Sequence, residues 1–286
     1  MEGRISGHTG LIALFGSPVG HSGSPAMHNY SFARLGLDYA YLAFDIKTEE
    51  MKDAIAGMKT FRMRGANVTM PCKTEALKYM DELSPAARMI GAVNTIVNDD
   101  GRLTGHITDG IGVVWSLRDH GVDIRGKKIT VAGAGGAATA IQIQCALDGA
   151  REISIFNRTV EKAEATAEKI RQAVPGCMVH AFDLADTERM TEEIYSSDIF
   201  ANGTNVGMKP KEGESVVKDI RAFRPGLVVL DAVYNPRETR LLREAKEAGC
   251  LCIDGTSMLL WQGAAAFKLF TGQDMPVKEV KEQFFR

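Results

Sequence analysis

The sequence predicts a two-domain α/β protein: an N-terminal α/β domain followed by a doubly wound parallel sheet. Three observations predict it. At 286 residues the chain is about twice the length of a typical domain. Strand and helix signals alternate from end to end. After a polar turn, Asp123 to Lys128, the texture changes to six short apolar strands separated by helical patterns.

The elements follow in order. Leu11 to Phe15 reads as a strand. Ser24 stands as N-cap with Pro25 at the first helical position, and Gly36 stops that helix. Tyr39 to Ile46 alternates as a strand, and Thr48 opens a helix on which Met51, Ala54, Ile55 and Met58 recur at helical spacing. Gly65 to Lys73 is a strand that turns polar. There Pro71 fixes its own φ and biases Met70 away from helix, so Asn67, Thr69 and Lys73 sit on a restrained edge. Ser84-Pro85 starts another helix. Asn94 to Asn98 and Arg102 to Ile107, joined by Asp99-Asp100-Gly101, form a hairpin. A helix runs from Asp109-Gly110 to His120-Gly121. The six later strands are Lys128 to Ala132, Glu152 to Phe156, Met178 to Phe182, Asp198 to Ala201, Leu227 to Asp231 and Leu251 to Asp254. A helix from Met258 to Phe270 and an amphipathic tail, Val277 to Phe285, finish the chain. The expected domains are 1–120, completed by 258–286, and 121–257.

Composition narrows the function. A net charge of -2 with acids and bases mixed leaves no basic footprint for nucleic acid and no polybasic arm for a membrane. Small molecules are the expected partners. The five cysteines have no Cys-x-x-Cys spacing and lie in apolar segments, so reduced thiols are expected. The six histidines form no metal-ligand spacing, and no metal is expected. Met1 to Gly10 has no apolar signal region and no apolar run is long enough to span a bilayer, so the expected location is cytoplasmic.

Val131-Ala132-Gly133-Ala134-Gly135-Gly136-Ala137-Ala138 leaves a strand and enters a helix, the context a dinucleotide fingerprint requires. Gly133 permits the tight turn, Gly135 lets pyrophosphate approach the backbone, and Ala138 lets helix and strand pack closely. The second strand ends in Phe156-Asn157-Arg158-Thr159 with no acid for a ribose, so Arg158, supported by Asn157, Thr159 and Lys162, favours NADP over NAD. Thr159 also reads as a helix N-cap and Arg158 as a solvated turn residue, and both readings can hold. Loops after later strands add Thr204, Asn205, Met208, Val233 and Gly255 as cofactor contacts. In the first half, Ser22 and Ser24 precede a helix whose N-terminus favours a carboxylate, although Ser24 has capping as its plainer role.

These residues resemble the shikimate/quinate dehydrogenase family over nearly the whole chain. The resemblance rests on His21-Ser22-Gly23-Ser24-Pro25 with Asn29 behind, Gly65 to Lys73, Gly91 to Thr95, and Thr108-Asp109-Gly110. Gly133 to Ala137, Tyr234 to Pro236 and Met258 to Gln262 extend it. Asn202 to Pro210 and Leu259 to Gly263 look closest to the branch that accepts quinate as well as shikimate. The resemblance implies reversible hydride transfer between NADP and the ring hydroxyl that becomes the ketone of 3-dehydroshikimate, in chorismate and aromatic amino-acid biosynthesis, by a monomer or homodimer. It implies Lys73 and Asp109 as the catalytic pair, whose bland alternative is an ion pair between domains. Ser22, Ser24 and Tyr234 would face the carboxylate, and Asn67, Thr69, Asn94 and Gln262 the ring hydroxyls. The sequence departs from the pattern at Ile107, where many relatives carry Asn, and at Val160, where the quinate branch often has an acid that enables NAD use. The rival readings are a dual-substrate enzyme using NAD or NADP and a non-catalytic nucleotide sensor.

Overall fold

Strands of two to seven residues build the first sheet, and the computed structural model describes residues 5–285 of the chain. In chain order the first elements are β1 (Gly10–Gly16), α1 (Ser24–Leu35), β2 (Tyr39–Asp45), α2 (Met51–Thr60), β3 (Gly65–Val68) and α3 (Lys73–Ala76). Then come β4 (Glu82–Leu83), α4 (Pro85–Ile90), β5 (Thr95–Asp99) and β6 (Arg102–His106). These six strands form one sheet in the order β2-β1-β3-β5-β6-β4. The β5–β6 pair is the expected hairpin, with Asp100 at φ 51° and Gly101 at φ 95° in its turn.

The second set comprises α5 (Asp109–Asp119), β7 (Lys128–Ala132), α6 (Gly136–Leu147), β8 (Glu152–Asn157), α7 (Val160–Ala173) and β9 (Met178–Asp183). It continues with α8 (Thr187–Tyr195), β10 (Ile199–Asn202), β11 (Val228–Asp231), α9 (Arg240–Glu247) and β12 (Leu251–Ile253), then α10 (Gly255–Thr271) and α11 (Val277–Phe284). All pairs in this sheet are parallel, in the order β12-β11-β10-β7-β8-β9. Strand order therefore reverses at β7, the switch point of a Rossmann sheet, where ligands bind beyond the strand C-termini. Phe156, Phe200, Leu227 and Val229 fill one side of its core.

Contacts divide the chain into two compact units, Met1–Thr108 with Gln262–Arg286, and Asp109–Trp261. The sequence draws the first line near residue 120. The difference has a packing cause: a Cβ on Gly110 would lie 2.4 Å from the Ala140 carbonyl and 2.5 Å from Gln144 Cβ, so α5 sits hard against α6 and groups with it.

β2 is the outer strand of its sheet, and its exposed side is met by a side chain. Asn29 donates Nδ2 to the Tyr41 carbonyl at 2.8 Å and accepts the Tyr41 N–H on Oδ1 at 2.9 Å. No helix among the described residues is long and apolar enough to cross a membrane.

Candidate active site

The polar end of β3 is built by backbone pairing on both sides. Thr69 donates its N–H to Phe15 at 2.8 Å, Ser17 donates to Met70 at 3.0 Å, and Cys72 donates to Thr69 at 2.9 Å. Met70–Pro71 is a cis peptide bond. Lys73 then opens α3, half-buried, and its carbonyl accepts the Val93 N–H at 2.9 Å.

Behind this edge lies a chain of polar side chains. Asn67 is 9% exposed; its Oδ1 accepts from the Tyr41 phenol at 2.8 Å, and its Nδ2 donates to the Asn94 carbonyl at 3.2 Å and to Thr95 Oγ1 at 3.0 Å. Both amide hydrogens are thereby committed, so what Asn67 retains for a ligand is acceptor capacity on Oδ1. Asn94 Oδ1 accepts from the Thr108 N–H at 2.8 Å and from the Thr95 hydroxyl at 3.0 Å, with the Thr108 hydroxyl at 3.2 Å. Thr108 Oγ1 also lies 3.4 Å from Gln262 Oε1. The network thus joins Asn67, Asn94 and Gln262, three residues the sequence offers for ring hydroxyls, and it ends at the residue before Asp109. Tyr41, Thr95 and Thr108 complete it; Thr95 and Thr108 stand in motifs that carry the resemblance without a role of their own, and Tyr41 is not singled out by the sequence. Tyr41 carried a usable signal, a tyrosine at an inward strand position that must satisfy its hydroxyl when buried.

One expectation changes here. Ser24 does not cap α1: the N-cap is Gly23, with no side-chain capping bond, and the Ser24 hydroxyl interacts with the Tyr41 phenol instead. Ser22 accepts the Ser24 N–H on Oγ at 3.3 Å. Under the phenol, His28 is 1% exposed and stacks on Tyr41 with ring centroids 4.5 Å apart and planes 10° from parallel. Burial drives its imidazole down to about 3 and the Tyr41 phenol far up. Ile107 is 4% exposed and fills the core two residues before Asp109. Asp109 and Tyr234 belong to the second unit, Asp109 half-buried at the start of α5 and Tyr234 57% exposed.

At the switch point of the second sheet, Gly133, Ala134, Gly135, Asn157, Arg158, Thr204 and Asn205 line one cavity of about 370 Å³. Gly133 adopts φ 109°, a left-handed conformation that a side chain would strain. Gly135 is the N-cap of α6, with open space where a Cβ would project, which is the free backbone approach a phosphate needs. Ala138, the third small position, comes close to the turn that leaves β7, where a Cβ on Gly133 would lie 3.2 Å from Ala138 Cβ, and also to the loop after β10, where a Cβ on Gly203 would lie 2.6 Å from it. Thr159 stands at the N-cap of α7 but makes no side-chain capping bond; its carbonyl accepts from Asn157 Nδ2 at 2.9 Å. That correction leaves its hydroxyl available beside Arg158. Arg158 and Lys162 are exposed.

Gly203 and Val206, in the loop the sequence offers for close approach to the cofactor, also line this cavity, as do Leu184 and Lys211, which the sequence does not single out. Among the described residues neither Arg158 nor Lys211 has a carboxylate in ion-pair range, so the cavity carries two uncompensated cations. Gly136 and Ala137 form the first turn of α6, Met208 is 41% exposed, and Val233 is buried with its backbone 2.6 Å from where a Gly255 Cβ would stand. A second cavity, of about 440 Å³, lies by Cys250 and Cys252, but its cations face acids: Arg237 to Asp254 at 3.6 Å and Lys246 to Glu238 at 3.9 Å. The unpaired charge marks the glycine-lined cavity as the one suited to a phosphorylated ligand.

Comparison with known proteins agrees with this geometry. Residues 14–96 match the shikimate dehydrogenase substrate binding domain, 117–231 match shikimate / quinate 5-dehydrogenase, and 255–283 match the shikimate 5'-dehydrogenase C-terminal domain. The shikimate dehydrogenase (NADP(+)) of Listeria monocytogenes is 54% identical over 285 residues, 99% of this chain and 98% of the relative. The chain belongs to the shikimate dehydrogenase family. Within that family a quinate/shikimate dehydrogenase of Escherichia coli is 48% identical over 275 residues, covering 95% of each chain. The crystal structure of the Listeria monocytogenes shikimate 5-dehydrogenase in complex with shikimate and NAD superposes with a TM-score of 0.95 at 54% identity, covering 99% of this chain and 98% of that one. The two-domain α/β architecture with a Rossmann unit is therefore that of the family.

Proposed function

We propose that the protein is an NADP-dependent shikimate dehydrogenase that interconverts shikimate and 3-dehydroshikimate. The observation that carries the reading is the glycine-lined cavity with Arg158 and Lys211 at its wall, in a chain aligned along nearly its full length with a shikimate dehydrogenase (NADP(+)). The residues present fit the dinucleotide: the open backbone at Gly135 and the α6 N-terminus suit the pyrophosphate, and Arg158 suits a ribose 2′-phosphate. Bound there, the nicotinamide supplies the hydride acceptor or donor.

The chain's own residues handle the proton and the ring. As the hydroxyl carbon gives up hydride, its oxygen becomes a carbonyl and the hydroxyl proton must leave; the pair Lys73 and Asp109 takes it, with Asp109 holding the lysine and hydroxyl in line. In the reverse direction the same pair returns the proton. Ser22, Ser24 and Tyr234 receive the carboxylate. Asn67 accepts from a ring hydroxyl while Thr69, Asn94 and Gln262 complete the polar lining, and an analogue that leaves such groups unpaired is rejected. The reading places the enzyme in the cytoplasm, supported by five free cysteines, as a monomer or homodimer.

A second substrate is favoured by the segment Asn202 to Pro210 and by the Escherichia coli quinate/shikimate relative: quinate, with NAD as a lesser coenzyme. Val160, in place of an acid after Asn157-Arg158, pulls towards NADP. Steady-state assays of shikimate and quinate, each with NADP and NAD, test both readings. Shikimate with NADP should give the highest kcat/KM, and reduction of neither coenzyme by either acid overturns the proposal.

A further inference from the structure

Gln142 is 0% exposed on α6, among Ile141, Ile143 and Cys145, which are also buried. Its Nε2 donates to the Gly133 carbonyl at 2.8 Å. A carbonyl only accepts, so the amide orientation is fixed by chemistry, and Oε1 points away into the interior with no hydrogen-bond partner among the described residues. A buried amide oxygen left unpaired is unfavourable. Leucine or methionine would fill the same volume and remove that orphan, but only by taking the donor from the buried Gly133 carbonyl, so what glutamine supplies here is that one bond.

What it holds is the peptide plane at the head of the glycine turn. The Gly133 N–H is bonded to the Phe156 carbonyl at 2.7 Å, so β8 fixes one side of the residue and Gln142 the other. In a trans peptide the Gly133 carbonyl and the Ala134 N–H lie in one plane and point in opposite directions. Drawing the carbonyl inward onto α6 turns the Ala134 N–H outward, and Ala134 lines the cavity. We propose that Gln142 is a positioning residue for dinucleotide binding, acting through Gly133 to aim the Ala134 N–H at the cofactor's phosphates. This rests on the reading of that cavity as the NADP site.

The test compares wild type with Gln142→Leu and Gln142→Met in the full-length enzyme, by NADP binding titration, steady-state kinetics and thermal unfolding without ligand. Both variants should raise Kd and KM for NADP about three- to tenfold, the worth of one hydrogen bond. The effect should fall on NADP rather than on kcat at saturation or on KM for shikimate, and Tm without ligand should stay within about 4 °C of wild type, since one unpaired buried oxygen replaces another. Unchanged NADP affinity in both variants overturns the inference. So does a drop in Tm with parallel losses in every kinetic parameter, which would mark a residue needed only for packing. If wild type itself fails to bind NADP, the reading of the cavity falls, and the inference with it; that result needs no variant.

Discussion

The Lys73 carbonyl accepts the N–H of Val93 at 2.9 Å, which fastens the start of α3 to the residue that precedes Asn94. The lysine's backbone is thereby tied to the strand system carrying the buried amides. Replacing its side chain should leave the fold alone. Lys73→Ala should lower kcat by about 10²- to 10⁴-fold, the usual contribution of a positioned proton-transfer group, while NADP affinity stays near wild type. Turnover equal to wild type would remove Lys73 from the chemistry. A wild-type protein that binds NADP and turns over neither acid would be the nucleotide sensor.

Asn94 is the clamp on the residue before Asp109. Its Oδ1 accepts from the Thr108 N–H at 2.8 Å and from the Thr95 hydroxyl at 3.0 Å, and all three residues are buried. Asn94→Ala strands these donors, so unfolding free energy should fall by about 2–4 kcal/mol, with kcat falling as well. Urea unfolding with an unchanged m value measures the first effect. Stability within about 0.5 kcal/mol of wild type would mean that the clamp is dispensable.

Under the proposed function, Arg158 is the residue that separates the two coenzymes. Its guanidinium is exposed at the cavity wall and unpaired among the described residues, so Arg158→Ala should raise KM for NADP by about 10- to 100-fold and barely alter KM for NAD. Equal losses with both coenzymes would assign the arginine to the part of the cofactor they share.

His28 predicts a pH dependence. Burial holds its imidazole at about 3 in the fold, against 6.5 for the free group, so the unfolded chain takes up a proton that the native state refuses. The contribution to stability is full above pH 6.5 and is lost as pH falls through the window from 6.5 towards 3. The slope is up to about 1.4 kcal/mol per pH unit. His28→Phe, which keeps an aromatic ring against Tyr41, should flatten the curve there; urea unfolding at several pH values measures it. An undiminished slope would place the titrating group elsewhere.

Much of this was legible in the residues because local pattern and tertiary role agreed. β7 runs from Lys128 to Ala132 as read, and the glycine turn that follows it lies at the switch point. What escaped depended on contacts between distant segments. Gly110 looks like a helix-start glycine, and only its approach to Ala140 assigns α5 to the second unit. Ser24 and Thr159 have the chemistry of caps, yet neither side chain caps its helix; the Ser24 hydroxyl interacts with the Tyr41 phenol. Lys211 sits beyond a cis Lys209–Pro210 bond, and nothing in its neighbours marks it as lining the same cavity as Arg158. Thr108 and Gln262 are 154 residues apart, a separation at which no periodicity carries information.

The Asn29 amide on Tyr41 has a consequence for how the protein behaves at high concentration. β2 is a seven-residue border strand with one acid, Asp45, at its very end, a composition that invites the strand of another molecule to dock alongside. By presenting a donor and an acceptor at the spacing of a neighbouring backbone, Asn29 occupies the Tyr41 rung of that ladder from within. Its loss would expose a template for intermolecular growth, so an Asn29→Ala protein is expected to show its defect first as turbidity on storage, before any loss in turnover per folded molecule.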